Sequence, residues 1–181
     1  MYGKIILNIF FSIFLVAMQL SFVSGLPSVF SNVNLVLVSL IFILAVGDLK
    51  FSIWWVAGTG LLMDVFSFLP FGTYLLSLAA IALLIDLFLK RLFTNRSLYT
   101  FLALTAIATV SCSLFVKSAS YLMHFFSRDG YLLILSRKFF MNELDQLVLN
   151  LILVAVIFYF FNILSIKLKP VFLMKGGRLH K

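Results

Sequence analysis

Polar residues along this chain gather in short clusters that separate long apolar runs, with no alternation that would mark half-buried strands. A helix that crosses a bilayer needs about 20 mostly apolar residues. Measured against that length, the pattern predicts six spanning helices, over residues 5–23, 29–46, 51–69, 71–89, 98–126 and 147–166, the second starting at either Val29 or Asn34 and short if at Asn34, with the residues before it in the interface. Lys4 precedes the first run, and Ser24-Gly25-Leu26-Pro27-Ser28 breaks it from the second. Gly47-Asp48, Pro70 and Lys90-Arg91 close the next three. The first run is read as a span rather than a cleaved leader, because it is long enough to cross and five more follow.

Composition strengthens this picture. Only 11% of the residues are charged and 64% are apolar, with a mean hydropathy of +1.18. A soluble domain carries roughly a quarter charged residues, and disordered chains are poor in apolar ones. The expected fold class is therefore all-α, a single polytopic transmembrane domain. The formal charge of +8 does not point to nucleic acid, because the basic residues sit between apolar runs rather than in a stripe with interleaved aromatics.

The same basic residues orient the chain. With six spans and an internal N-terminus, ten of them (Lys4, Lys50, Lys90, Arg91, Arg96, Lys167, Lys169, Lys175, Arg178 and Lys181) fall on the cytoplasmic side. Only Arg128, Arg137 and Lys138 fall outside, and Lys117 lies within the fifth helix. The positive-inside rule then places both termini in the cytoplasm. Residues 127–146, with mixed charges around an apolar centre at 131–135, are expected to form an external segment with a short helix in the interface. Residues 167–181 read as a basic cytoplasmic tail suited to anionic lipid. Trp54 and Tyr99 fit the aromatic belt.

Chemistry is hard to place. The sequence has no phosphate-binding glycine loop and no Cys or His at metal-ligand spacing. His124 and His180 are the two histidines, and Cys112 is the one cysteine, within an apolar run. Asp64 and Asp86 fall at different depths, on the order of 15 Å or more apart at ~1.5 Å per residue, so no carboxylate pair forms. No catalytic residue, metal or cofactor is expected.

Two polar features stand out within the spans. Asp64 lies within the third helix, where an acid costs about 2.5–3.5 kcal/mol on insertion scales and needs a partner. Gly60 precedes it by one turn, and Gly58 lies nearby, so another helix can approach closely. On the fifth helix Thr105, Thr109, Ser113, Lys117 and Tyr121 recur every four residues, forming a candidate intramembrane polar stripe. Such a stripe is more often interhelical hydrogen bonding than a ligand site. Lys117 and Asp64 fall at similar depth, which predicts an Asp64–Lys117 pair. Lys117 reaching the outer headgroups is the alternative. Asp86 and Lys90 are an ordinary i,i+4 pair.

Residues 34–84, NLVLVSLIFILAVGDLKFSIWWVAGTGLLMDVFSFLPFGTYLLSLAAIALL, resemble the rod shape-determining protein MreD family. The resemblance rests on an apolar helix, a short turn, a glycine- and aspartate-bearing helix, a proline or glycine turn and another apolar helix. Its matching positions are Gly58, Gly60, Leu61, Asp64, Pro70 and Gly72. It implies a fold similar to the substrate-binding subunits of energy-coupling-factor vitamin transporters. It also implies a non-enzymatic place in the bacterial elongation complex of the inner membrane, which supports peptidoglycan synthesis. The partners implied are an MreC-like protein, the actin-like MreB and the peptidoglycan polymerase and transpeptidase. A vitamin-transporter subunit is the competing reading. Such a subunit should present small residues four apart on the first helix to its coupling subunit, and here that helix has Ala17 alone and no glycine.

Overall fold

A computed structural model describes residues 2–27, 30–46, 49–67, 69–92, 97–127 and 137–175. The described residues form six α-helices and no strand: α1 (Tyr2–Ala17), α2 (Leu35–Val46), α3 (Leu49–Phe66), α4 (Thr73–Arg91), α5 (Leu98–Ser127) and α6 (Arg137–Lys175). A π-helical stretch, Met18–Val23, continues α1, and a single 3-10 turn covers Phe30–Asn32.

Helix α2 is the centre of the bundle. Its sequence, LVLVSLIFILAV, is apolar on every side, and a helix of that kind must be surrounded. Val36, Leu37, Val38, Leu40, Ile41 and Leu44 are all buried, against α3, α4, α5 and α6. The helix has only 12 residues, about 18 Å at ~1.5 Å per residue. Of the two starts that the sequence allows, the helix takes the later one, and residues 30–34 are a 3-10 turn and an extended link. The reason is Asn34, whose Oδ1 accepts from the Leu37 N–H (2.9 Å) and so starts the helix as its N-cap.

The helices alternate in direction. Phe11–Trp55 with Ser12–Gly58 fixes α1 and α3 as parallel, and Gly60–Leu75 with Asp64–Tyr74, and Phe101–Phe158 with Thr109–Asn150, fix α3/α4 and α5/α6 as antiparallel. The distribution of polarity is the reverse of a water-soluble domain. Asp64, Thr59, Thr105, Thr109 and Asn150 are buried, while Phe10, Phe14, Leu76, Leu83, Ile152 and Val156 face outward.

Three helices are long and apolar enough to cross a membrane: Thr73–Arg91, Leu98–Ser118 and Phe140–Ile163. Three shorter apolar helices, Asn8–Val23, Leu35–Ala45 and Phe51–Phe66, pack with them. Long apolar spans with an apolar exterior and polar side chains kept inside among an apolar core are the features of a membrane protein.

The largest departure from the sequence pattern is α6. The pattern places it over 147–166, and it runs Arg137–Lys175, taking in half of the segment expected to be external. Residues 137–146 join the helix because Glu143 and Gln146 lie on the face that meets α5 and find partners there. At the other end no glycine occurs before Gly176, and the helix continues through the first part of the basic tail. The expected interfacial helix around 131–135 and the end of the tail, 176–181, lie outside the described residues.

Candidate functional site

The joint between α3 and α4 is built around Asp64. Pro70, Phe71 and Gly72 turn the chain, and the Thr73 N–H and Oγ1 both donate to the Pro70 carbonyl (3.1 and 2.7 Å). Gly72 is the N-cap of α4 with φ +93°, in the left-handed region that favours glycine. A glycine cap has no side chain to accept from the first amides of the helix, which need partners when buried. Asp64 supplies what Gly72 lacks. Its Oδ1 accepts from the Tyr74 N–H (2.7 Å) and its Oδ2 from the Leu75 N–H (3.1 Å). The carboxylate is 3% exposed, so both bonds are shielded from water and lie at the positive end of the α4 dipole.

Gly60 makes this reach possible. A Cβ built there would stand 2.8 Å from the Leu75 Cα and 3.3 Å from its nitrogen, closer than two backbones tolerate. The α3 and α4 chains therefore touch at Gly60, one turn before Asp64. Gly58 faces a different neighbour: its Cβ would lie 3.6 Å from Ser12 Oγ of α1, an ordinary contact. Both glycines are thus spent on packing within the bundle, and Gly60 is covered by α4 rather than free for a partner.

The expected Asp64–Lys117 pair does not form. Lys117 Nζ pairs with Glu143 Oε1 on α6, and the carboxylate of Asp64 is occupied by α4 amides. Asp64 faces the start of α4, whereas Lys117 faces α6. Asp86 sits 12 residues beyond Tyr74 on α4, ~18 Å along the helix, and is bonded to Lys90 Nζ at 2.7 Å.

The α5 stripe forms a seam with α6. Asn150 Nδ2 donates to Thr109 Oγ1 (3.1 Å), Ser113 Oγ donates to Gln146 Oε1 (3.4 Å), and Lys117 meets Glu143. Thr105 Oγ1 turns back to the Phe101 carbonyl of its own helix (2.7 Å), and the Tyr121 side chain lies outside the described residues. Residues four apart on α5 meet residues three and four apart on α6, as two antiparallel helix faces require.

A polar knot that the sequence reading missed ties this seam to the rest. Asn150 is fully buried, and its Oδ1 accepts from the Asn34 N–H (2.9 Å). Gln19 donates from Nε2 to the Val33 carbonyl (2.9 Å) and accepts at Oε1 from the Leu35 N–H (2.7 Å). Its own carbonyl takes the Ser24 N–H at the π-helical end of α1 (3.1 Å). The signal is present as lone amides inside apolar runs, which lipid cannot satisfy. We expect Asn150→Ala and Thr109→Val to be coupled in a double-mutant cycle of detergent unfolding by about 1 kcal/mol. Additive effects would show that the seam bond contributes nothing.

Among the described residues no three His, Cys, Asp or Glu side chains converge as a metal site would require. Among the described residues the amides of Gln19 and Asn150, the hydroxyls of Thr109 and Ser113 and the Lys117–Glu143 ion pair hold separate elements together. The chain matches no family model, no curated protein and no solved structure.

Proposed function

We propose that this chain is a non-enzymatic, MreD-like subunit of the bacterial cell-elongation complex, which supports peptidoglycan synthesis by binding an MreC-like partner in the inner membrane. MreB and the peptidoglycan polymerase and transpeptidase would be further members of that assembly. In this reading all six helices span, with both termini in the cytoplasm.

One observation supports the reading above the others. Four of the six residues that carry the resemblance (Gly60, Asp64, Pro70 and Gly72) converge on a single joint, where each has a distinct physical task. A rigid α3–α4 unit of that kind suits a scaffold whose work is to present a fixed membrane surface. The partner surface itself would be an apolar face that the bundle leaves open. Helix α6 is the least covered of the three long helices, with Val148, Ile152 and Val156 outward at a spacing of four.

Co-purification of the intact protein with an MreC-like protein is the test. Ile152→Trp with Val156→Trp should lower recovery of the partner severalfold while the folded yield stays constant. Reporter fusions after Lys4, at Asn95 and after Lys181 should read cytoplasmic, and one at Gly130 external. Failure of the unaltered protein to retain any elongation component, or strong specific thermal stabilisation by thiamine, riboflavin, biotin or folate, would defeat the reading. The second result would favour a vitamin-transporter subunit.

A further inference from the structure

One corner of the bundle carries exposed features that the α3–α4 joint and the α5–α6 seam leave unused. It lies at the end of the molecule opposite Asp64, where α3 begins, α4 ends and α5 begins. Helix α4 finishes with Lys90 and Arg91, both exposed. Tyr99, in the first turn of α5, is 82% exposed. Trp54, about 7 Å into α3 at ~1.5 Å per residue, is 81% exposed, and Phe51 and Leu87 are also open beside it in depth. Two large amphipathic rings standing almost bare at the end of the bundle that carries paired cations would be costly in water.

We propose that this corner is a contact site for anionic phospholipid, with Lys90 and Arg91 on the phosphate of the headgroup and Trp54 and Tyr99 at the boundary between headgroup and acyl chain. The axial order supports it. In the antiparallel α3–α4 pair, whose register is fixed by Gly60 against Leu75 and Asp64 against Tyr74, Trp54 lies level with the stretch of α4 around Leu83. Lys90 and Arg91 are about two turns further toward the end of the helix, roughly 10 Å at ~1.5 Å per residue. The basic pair therefore lies outward of the ring, on the headgroup side, and the long basic side chains extend it further.

Asp86 shapes the site. Its carboxylate, largely buried, holds Lys90 Nζ at 2.7 Å. An ammonium has three N–H donors and one of them serves Asp86, which leaves donors directed to a second oxygen ligand. The salt bridge orients Lys90 at the corner instead of letting it swing freely, and Arg91 adds the planar fork that matches phosphate oxygens. The proposal is independent of the elongation-complex reading, because it names lipid chemistry at the far end from the Asp64 joint.

The two tryptophans give a direct test, because one is exposed and one is not. Trp55 is 4% exposed, and among the described residues its indole N–H has no hydrogen-bond partner, so Trp55→Phe removes no bond. The W55F protein then reports on Trp54 alone. It would be reconstituted into phosphatidylcholine vesicles containing the same mole fraction of phosphatidylglycerol. Dibrominated acyl chains, which quench indole on contact, would be carried either by the phosphatidylglycerol or by an equal amount of the phosphatidylcholine. Quenching per brominated lipid should be greater from phosphatidylglycerol, with an enrichment of up to about fivefold per basic residue at low salt. Lys90→Gln with Arg91→Gln should reduce it to the level of phosphatidylcholine, and Lys90→Arg should keep it. Equal quenching by the two lipids in the W55F protein would overturn the proposal. So would an excess that survives the double substitution, because the selectivity would then come from other basic residues.

Discussion

Replacing Asp64 by leucine should lower the stability of the folded protein by about 3 kcal/mol, measured by reversible unfolding in mixed detergent. The figure follows from what is lost: two charge-assisted bonds to buried amides at the start of α4. Leucine fits the membrane better than aspartate, so insertion scales alone predict a gain. The sign of the result therefore separates the two accounts. The substitution Asp64→Asn keeps one oxygen acceptor but turns an N–H toward the second amide, so its stability should fall between those of the unaltered and leucine proteins. Lys117→Leu should not rescue Asp64→Leu, because Lys117 serves Glu143. Glu143→Leu should rescue Lys117→Leu in part, since removing both members of an ion pair strands neither. Recovery of Asp64→Leu by Lys117→Leu would mean that the two charges meet after all.

The contrast between Asp64 and Lys117 shows what a sequence can convey. The positions of the apolar runs are legible, and α1, α3, α4 and α5 lie within a few residues of where the spacing puts them. A buried acid visibly needs a partner. The true partner is not legible, because a backbone amide has no letter of its own. The clue is indirect: Gly72, a cap without a side chain, stands eight residues beyond Asp64 across a proline turn. Charge counting does not reveal the partner of Glu143. The mixed charges of 127–146 suggest an external segment, although Glu143, Gln146 and Asn150 already have helical spacing that matches the α5 stripe. The start of α2 is legible only as a choice between Val29 and Asn34. Apolar residues flank Asn34 on both sides, and only the cap bond to Leu37 shows where the helix starts.

The second large effect is expected at Gly60. A methyl group there meets the Leu75 Cα at 2.8 Å, and a backbone atom cannot step aside as a side chain can. Helices α3 and α4 would have to separate, at the 1–3 kcal/mol typical of overpacking; we expect about 2 kcal/mol for Gly60→Ala. Separation also lengthens both bonds from Asp64 to α4, which leave little slack at 2.7 and 3.1 Å. The two changes should therefore overlap: Gly60→Ala with Asp64→Leu should cost clearly less than the sum of the single substitutions. Gly58→Ala is the control. Its methyl group would rest 3.6 Å from Ser12 Oγ at ordinary contact distance, and alanine is the better helix former. That substitution should be neutral within about 0.5 kcal/mol, or slightly stabilising. Equal costs at the two glycines, or simple additivity between Gly60 and Asp64, would show that close approach of α3 and α4 is not what lets the carboxylate reach the start of α4.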